Sequence, residues 1–402
     1  MMSTTGKIKK IAVVMLVLLL CISGLFSPKK VLAQDLSLPE IGSYAAVLME
    51  FSREEIIFDK NSTEQLPPAS LTKIMTLLLS YEALQQGKVT WSEEVTVSQK
   101  AWETGGSQMF LEIGQKVPFG TMLTGIATIS ANDACVAVSE HLCGSEAVFV
   151  QEMNKKAKEL GLINTLFQNS SGLHHPEHYS SAEDMARLAH YLIQNFPESL
   201  KLHSQTEFTF NNILQYNRNP LLGRYNGADG LKTGHTSQAG HCLIGTASQG
   251  GLRFITVAMN AASPAVRQKD TETMLNYAFR NYTLHRVFPA GETIATAKVK
   301  GGEERYVDLY LEQPLEVVML FNRQEDLDLQ IEVLENTPAP VNKGDSLGSV
   351  KVLLDNETLA EAPLHAAKNI RRANVFSRFF RFIGDLLAGL WQQLTQALRN
   401  LL

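Results

Sequence analysis

Pro67-Pro68-Ala69-Ser70-Leu71-Thr72-Lys73-Ile74-Met75-Thr76-Leu77-Leu78-Leu79 places a serine three residues before a lysine, where two prolines give way to an apolar run. Leu71, Ile74, Met75, Leu78 and Leu79 recur at helical spacing, so the stretch predicts a helix beginning near Ser70. There the serine oxygen lies at the positive end of the helix dipole, and Lys73, one turn on, falls on the same face. A lone Ser-x-x-Lys is commonly just a solvated helix start, and Ser27-Pro28-Lys29-Lys30 repeats the pattern by accident. Two later motifs change its weight. Ser130-Ala131-Asn132 and Lys232-Thr233-Gly234 follow in order, their leading residues 60 and then 102 positions further on.

Together the three form a constellation for nucleophilic catalysis. A second cation, Lys232, favours the neutral form of Lys73, which then takes the Ser70 proton. Ser130 is placed to pass a proton to a leaving nitrogen, and Asn132 to orient a substrate amide. Lys232-Thr233-Gly234 reads as an edge strand along which a substrate backbone lies, with Gly234 permitting close approach.

Outward from these motifs, Ala45 to Phe58 reads as a hairpin around Ser52-Arg53-Glu54-Glu55. Helical patterns fit Gly120 to Leu142, Ser145 to Leu160 and Ser181 to Asn195, the last opened by a Ser181-x-x-Asp184 capping box. Cys242 to Ala247 and Leu252 to Met259 read as strands joined at Gly250-Gly251. Helices flanked by strands from both ends predict an α+β or α/β domain over residues 34–283. From 284 to 367, short strand-like runs at Ile294 to Val299, Tyr306 to Leu311, Leu315 to Leu320, Leu329 to Val333 and Ser349 to Leu354 predict a small β-sandwich without a catalytic constellation, a spacer.

The chain of 402 residues has ordinary globular composition, 45% hydrophobic and 19% charged, and its net charge of −5 is unevenly spread. Five lysines and no acid lie in the first 33 residues, and six bases against one acid in the last 37; the body between holds 25 bases and 40 acids. So acidic a body argues against nucleic acid as a partner. Residues 1–33 read as a secretory signal peptide: lysines, an apolar run from Ile11 to Phe26, then Val31-Leu32-Ala33 before Gln34. The alternative is a retained anchor, although the run falls just short of a span. Secretion leaves Cys135, Cys143 and Cys242, an odd count that indicates no disulfide framework. At the far end, Phe376, Phe379, Ile383, Leu386, Leu390, Leu394, Ala397 and Leu401 make one apolar face of a helix within 368–402, with arginines and glutamines opposite. Such a helix lies in a membrane interface with its arginines toward anionic headgroups. A helix docked on the body or zipped to a partner has the same spacing.

The sequence resembles the serine-type D-Ala-D-Ala carboxypeptidases, low-molecular-mass penicillin-binding proteins with an export signal, a β-rich second domain and an amphipathic C-terminal anchor. The resemblance spans essentially the whole chain and is carried by Pro68 to Thr76, Gly105-Gly106-Ser107-Gln108-Met109-Phe110-Leu111, Ser130-Ala131-Asn132-Asp133-Ala134, Ser180 to Ala186 and Asp229 to Thr236. It implies a catalytic domain of the serine β-lactamase/transpeptidase type, an antiparallel sheet flanked by helices. It implies that Ser70 is acylated with Lys73 as its base, that Ser130 and Asn132 flank the cleft, and that Lys232 and Thr233 hold the substrate's terminal carboxylate. The backbone N–H groups of Ser70 and His235 form the oxyanion hole in that reading, and Arg267 matches a carboxylate-supporting arginine. Peptidoglycan stem peptides are the implied substrate, β-lactams covalent inhibitors, and the outer face of the cytoplasmic membrane the location; no metal or organic cofactor is implied. Ala131, Arg53-Glu54 and Asn169-Ser170-Ser171-Gly172 depart from the family's usual residues without replacing a catalytic group.

Three rivals stand beside this reading. A class A-type β-lactamase adds Glu-x-x-Leu-Asn between the second and third motifs, and none occurs between Ser130 and Lys232. A DD-endopeptidase keeps the fold and cuts crosslinks instead. A silent wall-binding scaffold would not need every motif residue. His174, His175 and His178 lie in a Pro-containing loop with no carboxylate or cysteine pattern to complete a zinc site, and Cys135 reads as core packing.

Overall fold

The computed structural model describes residues 38–375, together with Ile383, Trp391, Gln393 and Thr395. The expected signal segment 1–33 and the apolar face expected from Phe376 onward lie outside the described residues, apart from those four positions. Among the described residues no helix is long and apolar enough to cross a membrane.

In chain order the first unit comprises β1 (Ala45–Glu50), β2 (Glu55–Lys60), a 3-10 turn (Ala69–Thr72), α1 (Lys73–Gln85), β3 (Glu94–Thr96), α2 (Gln99–Glu103) and β4 (Lys116–Pro118). These are followed by α3 (Phe119–Ile129), α4 (Asn132–Cys143), α5 (Glu146–Glu159), α6 (Ala182–Asn195), α7 (Leu200–His203), β5 (Glu207–Phe210) and β6 (Ile213–Tyr216). It closes with β7 (Ala228–Thr236), β8 (Gly240–Gln249), β9 (Leu252–Ala261) and α8 (Pro264–Asn281).

The main sheet is antiparallel with strand order β2-β1-β9-β8-β7, so strands from both ends of the unit meet at its centre. All six residues of β1 are buried, because the pleat sends them alternately into two cores. Ala45, Val47 and Met49 pack with Leu71, Ile74, Met185 and Ala186 of the α1 and α6 side. Ala46 and Leu48 pack with Phe254, Met274, Leu275 and Ala278 on the α8 side. A third cluster, among them Leu123, Ile126, Ala134 and Val138, joins α3 to α4. Helix α1 is apolar on nearly every side and runs buried between these layers, which fixes the position of its first turn.

Two expectations need correcting locally, while the hairpin around Ser52 to Glu55 forms as expected. The pattern from Gly120 to Leu142 is not one helix: α3 ends at Ser130, whose φ of 67° and ψ of 35° are left-handed, and α4 restarts after Ala131. Helical periodicity continues across this two-residue break because both halves face the same core. Ser181 caps α6 by accepting from the Asp184 N–H at 3.1 Å. Asp184 does not complete the box, since its carboxylate accepts from Asn164 N–H at 2.9 Å and Thr165 Oγ1 at 2.6 Å. The hairpin turn at Arg53-Glu54 puts Glu54 at a φ of 55°, with its carboxylate 3.0 Å from Arg187 on α6; this tie offsets the strain of a non-glycine there.

From residue 282 the elements are strands, β10 (Tyr282–Phe288), β11 (Thr293–Lys300), β12 (Tyr306–Tyr310), β13 (Leu315–Leu320), β14 (Asp328–Val333), β15 (Thr337–Pro338), β16 (Ser346–Leu354) and β17 (Glu357–Ala366), with one 3-10 turn (Gln324–Asp326) before β14. A six-stranded sheet, β14-β16-β17-β12-β11-β15, and the β10-β13 pair share a core containing Val307, Leu309, Val317, Val350 and Leu364. Val318 of β13 instead joins the α8-side core of the first unit. Residues 368–373 continue this packing: Ile370 is buried and bridges Val341, and Arg372 bridges Gly302.

Candidate active site

Ala69 adopts a φ of 49°, an uncommon conformation for a residue with a Cβ, just before the serine that opens the site. Gly172 makes it possible, because a Cβ on Gly172 would stand 1.8 Å from the Ala69 carbonyl oxygen. Thr72 secures the same turn by pairing its hydroxyl with His178 Nε2 at 2.9 Å. Gln168 N–H donates to the ring's other nitrogen at 3.4 Å, so Nε2 carries the proton. Burial pushes His178 down to about 4, which keeps the ring neutral. His178 is thus a positioning group for the nucleophile's turn, and no cluster of three metal-ligating side chains occurs among the described residues.

Lys73 is fully buried, and its ammonium donates to Ser70 Oγ at 2.9 Å, to Asn132 Oδ1 at 2.7 Å and to the Ser171 carbonyl. The 3-10 turn eclipses residues three apart, which brings the serine and lysine together. Burial lowers Lys73 from 10.5 to about 8, and the exposed Arg218 adds to the lowering, opposed by Cys135 and Asp133. This corrects the sequence reading, which assigned that effect to Lys232. Lys232 is itself pushed well below its usual range, first by burial and then by Lys73. Its ammonium donates to the Thr233 carbonyl at 2.9 Å and forms no ion pair among the described residues.

Asn132 is held on three sides: its side chain donates to the Gly105 carbonyl at 2.7 Å, accepts from Lys73, and its backbone N–H donates to the Ser107 carbonyl at 2.7 Å. Asp133 secures the 105–111 loop by accepting from Met109 N–H at 3.0 Å and Leu111 N–H at 3.3 Å. Ser130, 6% exposed, stands at the α3–α4 break, and no hydrogen bond joins its side chain to Ser70 or Lys73. Ala131 has an ordinary φ of −61°.

β7 is the sheet's edge strand and packs against the serine turn. Gly234 sits where a Cβ would be 3.1 Å from both the Ser70 nitrogen and the Pro68 carbonyl oxygen. Thr233 is buried; His235, exposed, stacks on His241 across the β7-β8 pair, centroids 4.3 Å apart. Arg267 reaches from α8 under the sheet, donating to the Cys242 carbonyl at 3.3 Å, with its Nε lacking a partner. It is within electrostatic reach of Lys232 but makes no hydrogen bond to it.

Sequence reasoning passed over several groups. Glu146 accepts from Ser170 N–H and Oγ at 3.0 and 2.7 Å and pairs with Lys100 at 2.7 Å, which holds the loop that presents the Ser171 carbonyl. Asn169 Oδ1 caps that loop from within, accepting from Gly172 N–H at 2.7 Å. Arg218, donating to Ser107 Oγ at 3.0 Å, adds positive charge. Glu146 opens α5, Asn169 lies in the α5–α6 loop and Arg218 follows β6, and the quoted Gly105 to Leu111 and Asn169 to Gly172 stretches are the signals the sequence held. Cys135, Cys143 and Cys242 are free thiols, and burial raises Cys135 to about 12; it is inert packing rather than a nucleophile.

The arrangement can transfer an acyl group. A serine hydrogen-bonded to a lysine with a lowered pKa supplies a nucleophile and its base. An unpaired buried lysine on the adjacent strand supplies an anion site. Among the described residues no carboxylate hydrogen-bonds to Ser70 or Lys73.

Residues 32–263 match the D-alanyl-D-alanine carboxypeptidase family, and residues 282–372 match the C-terminal domain of penicillin-binding protein 5. The chain therefore belongs to the D-alanyl-D-alanine carboxypeptidase family. It is 41% identical over 355 residues to the D-alanyl-D-alanine carboxypeptidase DacF of Bacillus subtilis, covering 85% of this chain and 89% of that one. Its fold is similar to the crystal structure of penicillin binding protein 5 from Haemophilus influenzae, with 34% identity and a TM-score of 0.71 over 84% of this chain and 99% of that chain. The ampicillin-bound penicillin-binding protein D2 of Listeria monocytogenes is 31% identical, with a TM-score of 0.56 over 60% of this chain and all of that one.

Proposed function

We propose that Ser70 is acylated by the penultimate D-Ala of a peptidoglycan stem peptide, that the terminal D-Ala leaves, and that water hydrolyses the ester. The chain is a serine-type D-alanyl-D-alanine carboxypeptidase and a penicillin-binding protein of the cell wall. The observation that carries the residue assignment is the buried, unpaired Lys232 beside the Ser70–Lys73 pair. A buried cation without a counter-ion is costly, and a substrate carboxylate next to the scissile bond removes that cost.

In this mechanism neutral Lys73 takes the Ser70 proton as the hydroxyl attacks the carbonyl carbon. The oxygen develops negative charge toward the N–H groups of Ser70 and His235. Gly234 keeps that space open, Ser130 returns a proton to the departing nitrogen, and Asn132 orients the substrate amide. Thr233 assists Lys232 at the carboxylate, with Arg267 adding positive potential from behind. The absence of a carboxylate on Ser70 leaves no strong base for rapid hydrolysis of a penicilloyl ester, so β-lactams act as covalent inhibitors.

Residues 34–283 would form the catalytic domain and 284–367 a spacer. The chain would be exported through cleavage after Ala33, and the basic amphipathic segment from Phe376 onward would hold it at the outer face of the cytoplasmic membrane. Incubation with a defined pentapeptide and a crosslinked dimer, followed by product masses, tests the reaction. D-Ala released from the pentapeptide by the intact chain and not by Ser70→Ala supports it; cleavage of the dimer alone makes the enzyme an endopeptidase.

A further inference from the structure

A cavity of about 390 Å³ opens beside the C-terminal half of α1, between that helix and the α6–α7 connection. Tyr81 lies eight residues beyond Lys73, about 12 Å along the helix axis, so the cavity is separate from the cleft. One wall is Trp91, 45% exposed. Its carbonyl accepts from Gly120 N–H at 2.9 Å, and a Cβ at Gly120 would meet the indole at 2.5 Å, so the ring is seated against bare backbone. Tyr81 meets Trp91 edge-on with centroids 5.8 Å apart, and Phe196 backs Tyr81 at 5.5 Å. Tyr81 is 2% exposed, yet its hydroxyl has no hydrogen-bond partner among the described residues. A buried hydroxyl left unpaired is destabilising, and a ligand donor or acceptor would satisfy it.

The rim is polar and exposed: Gln85, Asn195 and Glu198. The Asn195 amide donates to the Tyr191 carbonyl at 2.9 Å, which leaves its oxygen available. No lysine or arginine lines the cavity. An aromatic platform ringed by amides and a carboxylate suits the apolar face and hydroxyl edge of a pyranose. The lone acid disfavours anionic peptides, whereas an N-acetylated sugar is neutral and brings its own amide. Resting on the reading of peptidoglycan as substrate, we propose that this cavity is a second site, binding the N-acetylated sugar backbone of the wall polymer, with one ring stacked on Trp91. It grips a strand beside the one being trimmed and raises the local concentration of stem peptides at the cleft.

The full-length protein is titrated with a tetramer of N-acetylglucosamine and with peptide-free glycan strands, followed by calorimetry and tryptophan fluorescence. Saturable binding is expected, weakened about tenfold by Trp91→Ala. Tyr81→Phe, which removes only the hydroxyl, also weakens it, while Trp102→Ala leaves it unchanged. Trp91→Ala should raise KM on insoluble peptidoglycan with kcat unaltered. All three variants release D-Ala from a free pentapeptide at the wild-type rate, a readout of the cleft alone that separates failure of this site from failure of the catalytic reading. Absence of saturable sugar binding, wild-type binding by Trp91→Ala or Tyr81→Phe, or binding of stem peptide in place of sugar overturns the proposal.

Discussion

Raising the pH converts Lys73 to the form that accepts the serine proton, and the structure sets where that conversion falls. Burial brings Lys73 from 10.5 to about 8. At pH 7 a lysine titrating at 10.5 is about 0.03% neutral and one at 8 about 9% neutral, so burial enlarges the competent fraction about 300-fold. Acylation limited by that fraction climbs about tenfold per unit below pH 8 and levels above it, a gain of about 90-fold from pH 6 to pH 9. The sign follows from the lowered pKa: the neutral base is gained, not lost, as pH rises through 8. Lys232 is also pushed below its usual range, by burial first, and loss of its proton works against recognition of the carboxylate. The Lys73 contribution therefore places a rising limb near 8. Stopped-flow acylation by a fluorescent penicillin from about pH 6 to about pH 9.5 measures it. A flat profile, or a rising limb near 10.5, refutes Lys73 as the base.

Gly234→Val places side-chain atoms against the Ser70 nitrogen, where a Cβ alone would be 3.1 Å away; acylation should fall about 100- to 1,000-fold with thermal stability nearly kept, checked by penicillin labelling and circular dichroism. Gly172→Ala combines a φ of 83° with a Cβ 1.8 Å from backbone oxygen, so denaturant unfolding should show a loss of about 3 kcal/mol or more, or no folded protein. Removing residues 376–402 should move D-Ala release from the membrane to the soluble fraction. That cut spares Ile370 and Ala373, which are buried against the second unit, and activity that stays with membranes contradicts the anchor.

The three motifs were legible because their chemistry is local: a serine and lysine one turn apart, a serine and asparagine at a helix start, a lysine and glycine on an edge strand. What the sequence concealed depends on tertiary packing. The Ser130 break hides inside an unbroken apolar periodicity, since α3 and α4 share one core. The agent that lowers Lys73 is burial, set by a helix packed on all sides, and one-dimensional spacing suggested Lys232 instead. Ser171 and His178 come from the α5–α6 loop, Glu146 from the start of α5 and Arg218 from the loop after β6, and no periodic pattern marks a carbonyl as a ligand. In the second unit, β17 went unread because Pro363 and three alanines dilute its strand signal. On its β12 side β17 pairs only at His365 and Ala366, so Pro363 faces no partner strand there, while on the other side it lies in register with Ser349 of β16.

The central claim is that Ser70 forms the covalent intermediate. Intact-protein mass spectrometry after brief exposure to benzylpenicillin, with peptide mapping of the adduct, tests it most directly. The account predicts a single penicilloyl adduct on Ser70 that persists after free drug is removed and is absent from Ser70→Ala. An adduct on another residue, or rapid turnover of benzylpenicillin with no adduct retained, contradicts it.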